Sequence, residues 1–290
     1  MANLKEIRTR ITSVESTMQI TSAMKMVSAA KLKRAQDAIV QMRPFAKKFN
    51  DILTNVSSTL DNSDHPMMKS NKGNKILLIA LSSNRGLCGG FNNNIVKEIK
   101  KTISSNPENK YSILTVGKKV FDAFKKSDLI NNSDQLPKDT QSIWDSLNYE
   151  NSIGITNKLI SAFKNNQFDK AYIIYNSFKN AAIQTIQNEP FLPVSQPKNE
   201  SSTNTDYIYD PDKEEILNDL IPQSLKIQLY KALLDSFASE HGARMTAMHK
   251  ATDNANEMKN DLKLFYNKAR QAAITNEILE IVAGAEALGG

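Results

Sequence analysis

The sequence predicts an α+β/α/β architecture: a long antiparallel coiled coil built from both chain ends, with a separate α/β domain between them. Three observations predict it. Apolar residues recur in steps of three and four over 4–60 and again over 227–283. Short aliphatic runs alternate with helical spacing over 75–194. Polar, Asn/Ser-rich stretches at 61–74 and 198–205 read as the linkers. The expected boundaries are 1–60 for the N-terminal helix, 75–195 for the α/β domain, and 207–290 for a connecting segment with the C-terminal helix.

The first element carries Leu4, Ile7, Ile11, Val14 and Met18, then Leu32, Ala35, Ile39, Met42, Ala46, Phe49, Leu53, Val56 and Leu60. Thr21, Lys25 and Ser28 fill the intervening seam positions. Such a narrow stripe packs against one other helix. Pro44 lies inside the run and is expected to bend it. The α/β domain begins with a buried strand at 75–81, then a Gly-rich turn and a helix over 95–103. A strand at 111–116, a helix at 118–126, an amphipathic helix at 153–163 and a strand at 170–175 follow. Two edge pieces are expected at 181–186 and 191–194. This alternation predicts a small, mostly parallel sheet flanked by helices. The last element repeats the seam through Ile227, Tyr230, Leu234, Phe237, His241, Arg244, Met248, Ala251, Ala255, Met258, Leu262, Phe265, Ala269, Ala272, Asn276, Leu279 and Ala283. Asp212 is placed to cap its start, and Pro222 is tolerable near that start. At 1.5 Å per residue the two helices would be about 85 and 110 Å long if continuous. A globule of this chain length has a radius of gyration near ~19 Å, so such helices must project as a rod.

Composition excludes several functions. The chain has 290 residues, one cysteine (Cys88), three histidines (His65, His241, His249) and a net charge of +6. Neither an internal disulfide nor a Cys-based zinc site is available. The longest aliphatic run, 76–81, is far short of a membrane span. No secretory signal is visible, and an Arg/Ser-containing transit peptide is disfavoured because the same pattern runs on through the first helix. A soluble intracellular chain is expected. Ten Lys/Arg against three Asp/Glu in residues 1–50 put the positive charge on the N-terminal helix, which suggests an acidic partner surface.

No catalytic constellation emerges. Residues 84–92, NRGLCGGFN, follow a strand and precede a helix, where a phosphate loop would sit. Their glycines fit neither dinucleotide nor Walker spacing, and no Lys-Ser/Thr follows. His241 and His249 are about 12 Å apart along a helix, too far to share a metal. The polar seam positions are the more informative feature. If Thr21–Ser28 lies opposite His241–Arg244, paired numbers sum to about 268, within one heptad. That layer would then face outward. Two other readings are a Rossmann-type nucleotide-binding enzyme with coiled-coil oligomerisation arms and a basic coiled-coil scaffold for nucleic acid.

Residues 21–32, TSAMKMVSAAKL, resemble the N-terminal helix of the γ subunit of F-type ATP synthases. Residues 85–92 look like that family's central turn; 239–248 with 251–255, and 266–277, are similar to its C-terminal helix. The resemblance covers essentially the whole chain. It implies a Rossmann-like central domain and a non-catalytic rotor shaft that binds no cofactor. The implied partners are the alpha and beta subunits of the catalytic hexamer, the epsilon subunit and the c-subunit ring, with no nucleic acid. Met24, Lys25, Arg244, Arg270, Gln271 and Thr275 match positions used near the catalytic subunits. Tyr207 and Tyr209 match the foot on the ring. Met1 directly before the matched helix favours a bacterial protein, peripheral at the cytoplasmic face of the inner membrane.

Overall fold

The computed structural model describes residues 4–58, 67–68, 73–131, 133–194 and 213–288. Helix α1 spans Leu4–Ser58 and the last helix, α5, spans Lys213–Leu288. Between them come β1 (Lys75–Leu81), α2 (Phe91–Ser105), β2 (Lys110–Val116), α3 (Lys118–Phe124), α4 (Tyr149–Lys164), β3 (Lys170–Phe178) and β4 (Gln184–Leu192). Both helices run through their prolines, Pro44 and Pro222, as single elements. By contacts the chain divides into two units, Ala29–Arg244 and the pair Met1–Ser28 with Met245–Gly290. The division therefore falls inside the two long helices, whereas the sequence boundaries follow the polar linkers. Asp212 and most of both linkers lie outside the described residues.

In the larger unit the sheet has the order β2-β1-β3-β4, with β1 parallel to β2 and β3, and β4 antiparallel at the edge. β1 is apolar on both faces because both are covered. Leu77, Ile79 and Leu81 join α4 residues Ile155, Leu159 and Phe163 on one side. Ile76, Leu78 and Ala80 meet Phe91, Ile95 and Ile99 of α2, with Val120 and Phe124 of α3, on the other.

Three expectations are corrected here. The two edge pieces at 181–186 and 191–194 are one strand, β4, held in register by β3. The segment between α3 and α4, left without an element by the sequence, carries a 3-10 turn at Ser142–Trp144 and supplies Leu136, Ile143 and Trp144 to the core. The start of α5 belongs to that same core, with Ile221, Leu225, Leu229 and Leu233 at most 1 % exposed. Periodicity locates an apolar face but not the surface that covers it.

In the smaller unit α1 and α5 run antiparallel. Arg8 Nη2 donates to Tyr266 Oη at 2.8 Å with its guanidinium 5.7 Å from the ring centroid, Lys263 pairs with Glu15 at 3.8 Å, and Thr252 Oγ1 meets Thr21 Oγ1 at 2.8 Å. The expected register placed Thr21 near residue ~247; its partner Thr252 is five positions on, inside the heptad tolerance. The seam of α1 is buried or half-buried at every described position from Leu4 to Phe49. On α5 the seam slips by one residue after Ala255. The less exposed positions become Lys259, Leu262, Tyr266, Ala269 and Ala273, while Met258 and Phe265 are exposed. From Lys259 onward the stripe again steps by three and four, the heptad period, so the slip is one extra step of four, from Ala255 to Lys259.

Candidate functional site

Two surfaces carry the sequence-predicted residues, one in each unit. In the α/β unit it is the Gly-rich turn after β1. Gly89 (φ 58°) and Leu87 (φ 63°) are both left-handed there, and Leu87 stands 63 % exposed at the tip. A polar lattice holds the turn's shape. Ser83 N–H donates to Asn92 Oδ1 at 3.1 Å and Ser83 Oγ to the Arg85 carbonyl at 2.6 Å. Asn92 Nδ2 donates to Ser83 Oγ at 2.8 Å and to Cys88 Sγ at 3.1 Å. Cys88 is buried, and that burial pushes its thiol pKa up, so it packs as a small neutral side chain.

The turn offers its carbonyls to α5. Arg244 Nε and Nη2 donate to the Gly86 carbonyl at 3.3 Å each, and Nη2 also reaches the Arg85 carbonyl at 3.2 Å. Nη1 pairs with Glu240 Oε1 at 2.7 Å and lies 3.4 Å from His241 Nδ1. Burial raises the Glu240 pKa against the pull of Arg244. His241 is held down to about 3, first by burial and then by the charges of Arg244 and Lys31, so its neutral ring accepts from Arg244. A phosphate cradle presents amide N–H groups; this turn uses two carbonyls to hold a guanidinium.

His241 and Arg244 therefore differ from the expectation of an outward-facing polar layer opposite Thr21–Ser28. They are 6 % and 7 % exposed, and His241 meets the Phe237 ring edge-on at 4.4 Å. The physical reason is local: a charge with a fixed carboxylate one turn away and two carbonyls in reach is better satisfied inside than a lone seam charge. Sequence reasoning missed Glu240, Ser83 and Asn92. Only the i,i+4 spacing of Glu240 and Arg244 offered a signal.

In the helical unit, Met24 and Lys25 are half-buried on α1. Arg270, Gln271 and Thr275 are exposed on successive turns of α5, with Thr275 Oγ1 donating to the Gln271 carbonyl at 2.9 Å. Beside and beyond them Ile274, Ile278, Leu279, Ile281 and Val282 are between 48 % and 71 % exposed. Arg244 is not part of this group. Tyr207 and Tyr209 lie outside the described residues.

The profile of the ATP synthase family matches residues 3–288. An ATP synthase gamma chain from Flavobacterium johnsoniae is 56 % identical over 292 residues, covering 100 % of both chains. The chain belongs to the ATP synthase gamma family. A gamma chain is the central-stalk subunit, and it is non-catalytic. A chain of the Tetrahymena thermophila mitochondrial ATP synthase, solved as central stalk with c-ring, aligns with a TM-score of 0.58 at 27 % identity, covering 80 % of this chain and 99 % of that one. A chain of the Euglena gracilis mitochondrial ATP synthase shares the fold, with a TM-score of 0.65 at 21 % identity over 98 % and 94 % of the two chains. Gamma chains work within a membrane-associated complex containing catalytic subunits and a c-ring. No helix among the described residues is long and apolar enough to cross a membrane.

Proposed function

We propose that the chain is the rotor shaft whose turning drives the catalytic sites on alpha and beta subunits through their nucleotide affinities, with the α/β unit toward the c-ring. One observation carries the reading. α5 is a single helix that gives Ile221–Leu233 to the α/β core and yet ends in a stretch where Ile274, Ile278, Leu279, Ile281 and Val282 are exposed. Apolar residues on several faces of one helix need a surrounding apolar sleeve, and a ring of catalytic subunits supplies one. Met24 and Lys25 on α1, with Arg270, Gln271 and Thr275 on α5, are the contacts to that ring. Arg244, which the resemblance also places near that ring, instead serves it indirectly, by holding the Gly-rich turn and Glu240 within the α/β unit. Tyr207 and Tyr209 form the foot on the c-ring and the epsilon subunit, and the complex sits at the cytoplasmic face of a bacterial inner membrane. The nucleotide-enzyme reading loses support because the carbonyls of the turn are turned onto Arg244.

The test is a triple Ala substitution of Arg270, Gln271 and Thr275 in the assembled complex. Exposed polar residues contribute little to the chain's own stability, so the variant folds while ATP-driven ion pumping falls. Pumping at the wild-type rate refutes the assignment of these contacts.

A further inference from the structure

The last turn of α5 within the α/β unit, residues 240–244, is gripped from two sides. On one side Arg244 meets the turn after β1. All five of its N–H donors are placed: two Nη1 positions toward Glu240 and His241, two Nη2 positions toward the Arg85 and Gly86 carbonyls, and Nε toward Gly86. On the other side Gly242 lies against the turn between β3 and β4. A Cβ there would sit 3.1 Å from Phe178 Cε2 and 3.3 Å from Ala181 Cα. Between the two, Ala243 packs into the cluster that contains Cys88, Phe91 and Ile174.

We infer that these two loops form a collar that fixes the rotation of α5 about its own axis, with Arg244 as the latch and with Glu240 and His241 as positioning residues. This rests on the stalk reading above. Ile221, Leu225, Leu229 and Leu233 hold the helix onto the sheet, but apolar contact is non-directional and opposes twist only through shape. Hydrogen bonds from a planar guanidinium weaken steeply when misaligned, so the Arg244 fork resists rotation of the helix against the sheet. Glu240, one helical turn back on the same face, fixes the plane of the fork. His241 occupies the remaining Nη1 direction, which leaves Nη2 and Nε aimed at the turn. Gly242 permits the opposing wall to come close enough to trap the helix.

The experiment compares wild type, Arg244→Lys and Glu240→Gln, using the full chain alone and in the complete synthase. In the free chain, hydrogen exchange over 85–92 speeds up about tenfold or more in Arg244→Lys, because a point charge cannot replace the fork and local opening becomes easier. Exchange over β1 stays at the wild-type rate. The near-isosteric Glu240→Gln, expected to shift the same peptide in the same direction, keeps the test informative if the lysine variant does not fold. In the complete synthase with the catalytic ring immobilised, the angular variance of a probe on α3 rises about twofold or more. Unchanged exchange overturns the collar, and faster exchange with unchanged variance overturns its torsional role. A wild-type synthase whose probe does not rotate on ATP addition counts against the stalk reading itself, and the exchange result then still decides the collar.

Discussion

Lowering the pH from 7 to 5 probes the surroundings of His241. Its ring is 6 % exposed, packs edge-on against Phe237 and faces Arg244 and Lys31, with Glu240 adjacent. Its folded pKa is about 3, against ~6.5 for an unfolded histidine. A depressed folded value means that the stabilisation is full above the unfolded pKa and is lost as pH falls from about 6.5 toward 3. At pH 5 the unfolded chain binds nearly one extra proton here, a loss of about 2 kcal/mol relative to pH 7. Any folded value below about 4 gives the same figure, since the site is then still neutral at pH 5. Glu240, raised mainly by burial, works in the opposite sense, so the wild-type loss alone mixes two effects. The readout is therefore a difference. Urea denaturation of wild type and His241→Gln at both pH values shows wild type losing about 2 kcal/mol more than the variant. Equal losses in the two proteins refute the buried, neutral histidine.

Three further outcomes follow from the packing. Arg244→Met leaves Glu240 buried without its partner and costs about 3–5 kcal/mol, whereas Arg10→Ala, which breaks an exposed pair with Glu6 at 3.1 Å, stays within about 0.5 kcal/mol by the same denaturation assay. Leu229→Ala, at a position with no exposure, lowers stability by about 2–5 kcal/mol with an unchanged denaturant slope. In a Cys88→Ser background, Thr21→Cys with Thr252→Cys oxidises to a disulfide more readily than Thr21→Cys with Ala247→Cys, judged by non-reducing gel mobility. Preference for the second pair restores the register read from the sequence.

The elements were largely legible in the sequence because each had a clean local period. β1 at Lys75–Leu81 matches residue for residue, since a six-residue aliphatic run bounded by polar residues has few other folded forms. The α1 seam was equally clear, with Leu32, Ala35 and Ile39 buried as expected, although Thr21 and Ser28, read as part of an outward-facing layer, are buried as well. What escaped was pairing over long distances. Nothing local says that Ile221–Leu233 covers β1 rather than another helix, or that Arg244 reaches across 158 positions to Gly86. The seam slip after Ala255 was hidden for a different reason. Met258 and Phe265 are apolar and favour the unslipped register, while the stems of Lys259 and Tyr266, each ending in a polar group, cover the shifted stripe instead. At the candidate site, the resemblance supplied residue names, but the inward turn of Arg244 came from hydrogen-bond geometry alone.

The antiparallel pairing of the chain's two ends also dictates an order of events during synthesis. Thr21 and its partner Thr252 are separated by 231 residues, and Arg8 and Tyr266 by 258. At ribosomal speeds of ~5–20 residues per second, α1 waits roughly 10 to 50 seconds before its mate is made. During that interval Ile7, Leu32, Ile39 and Phe49 have no complementary helix, and the β1 face that Leu225 and Leu229 complete has only α4 and its neighbours to cover it. The nascent chain is thus a client for hydrophobic holdases until its last quarter emerges. A ribosome stalled anywhere before residue 220 would display an aggregation-prone seam rather than a folded intermediate.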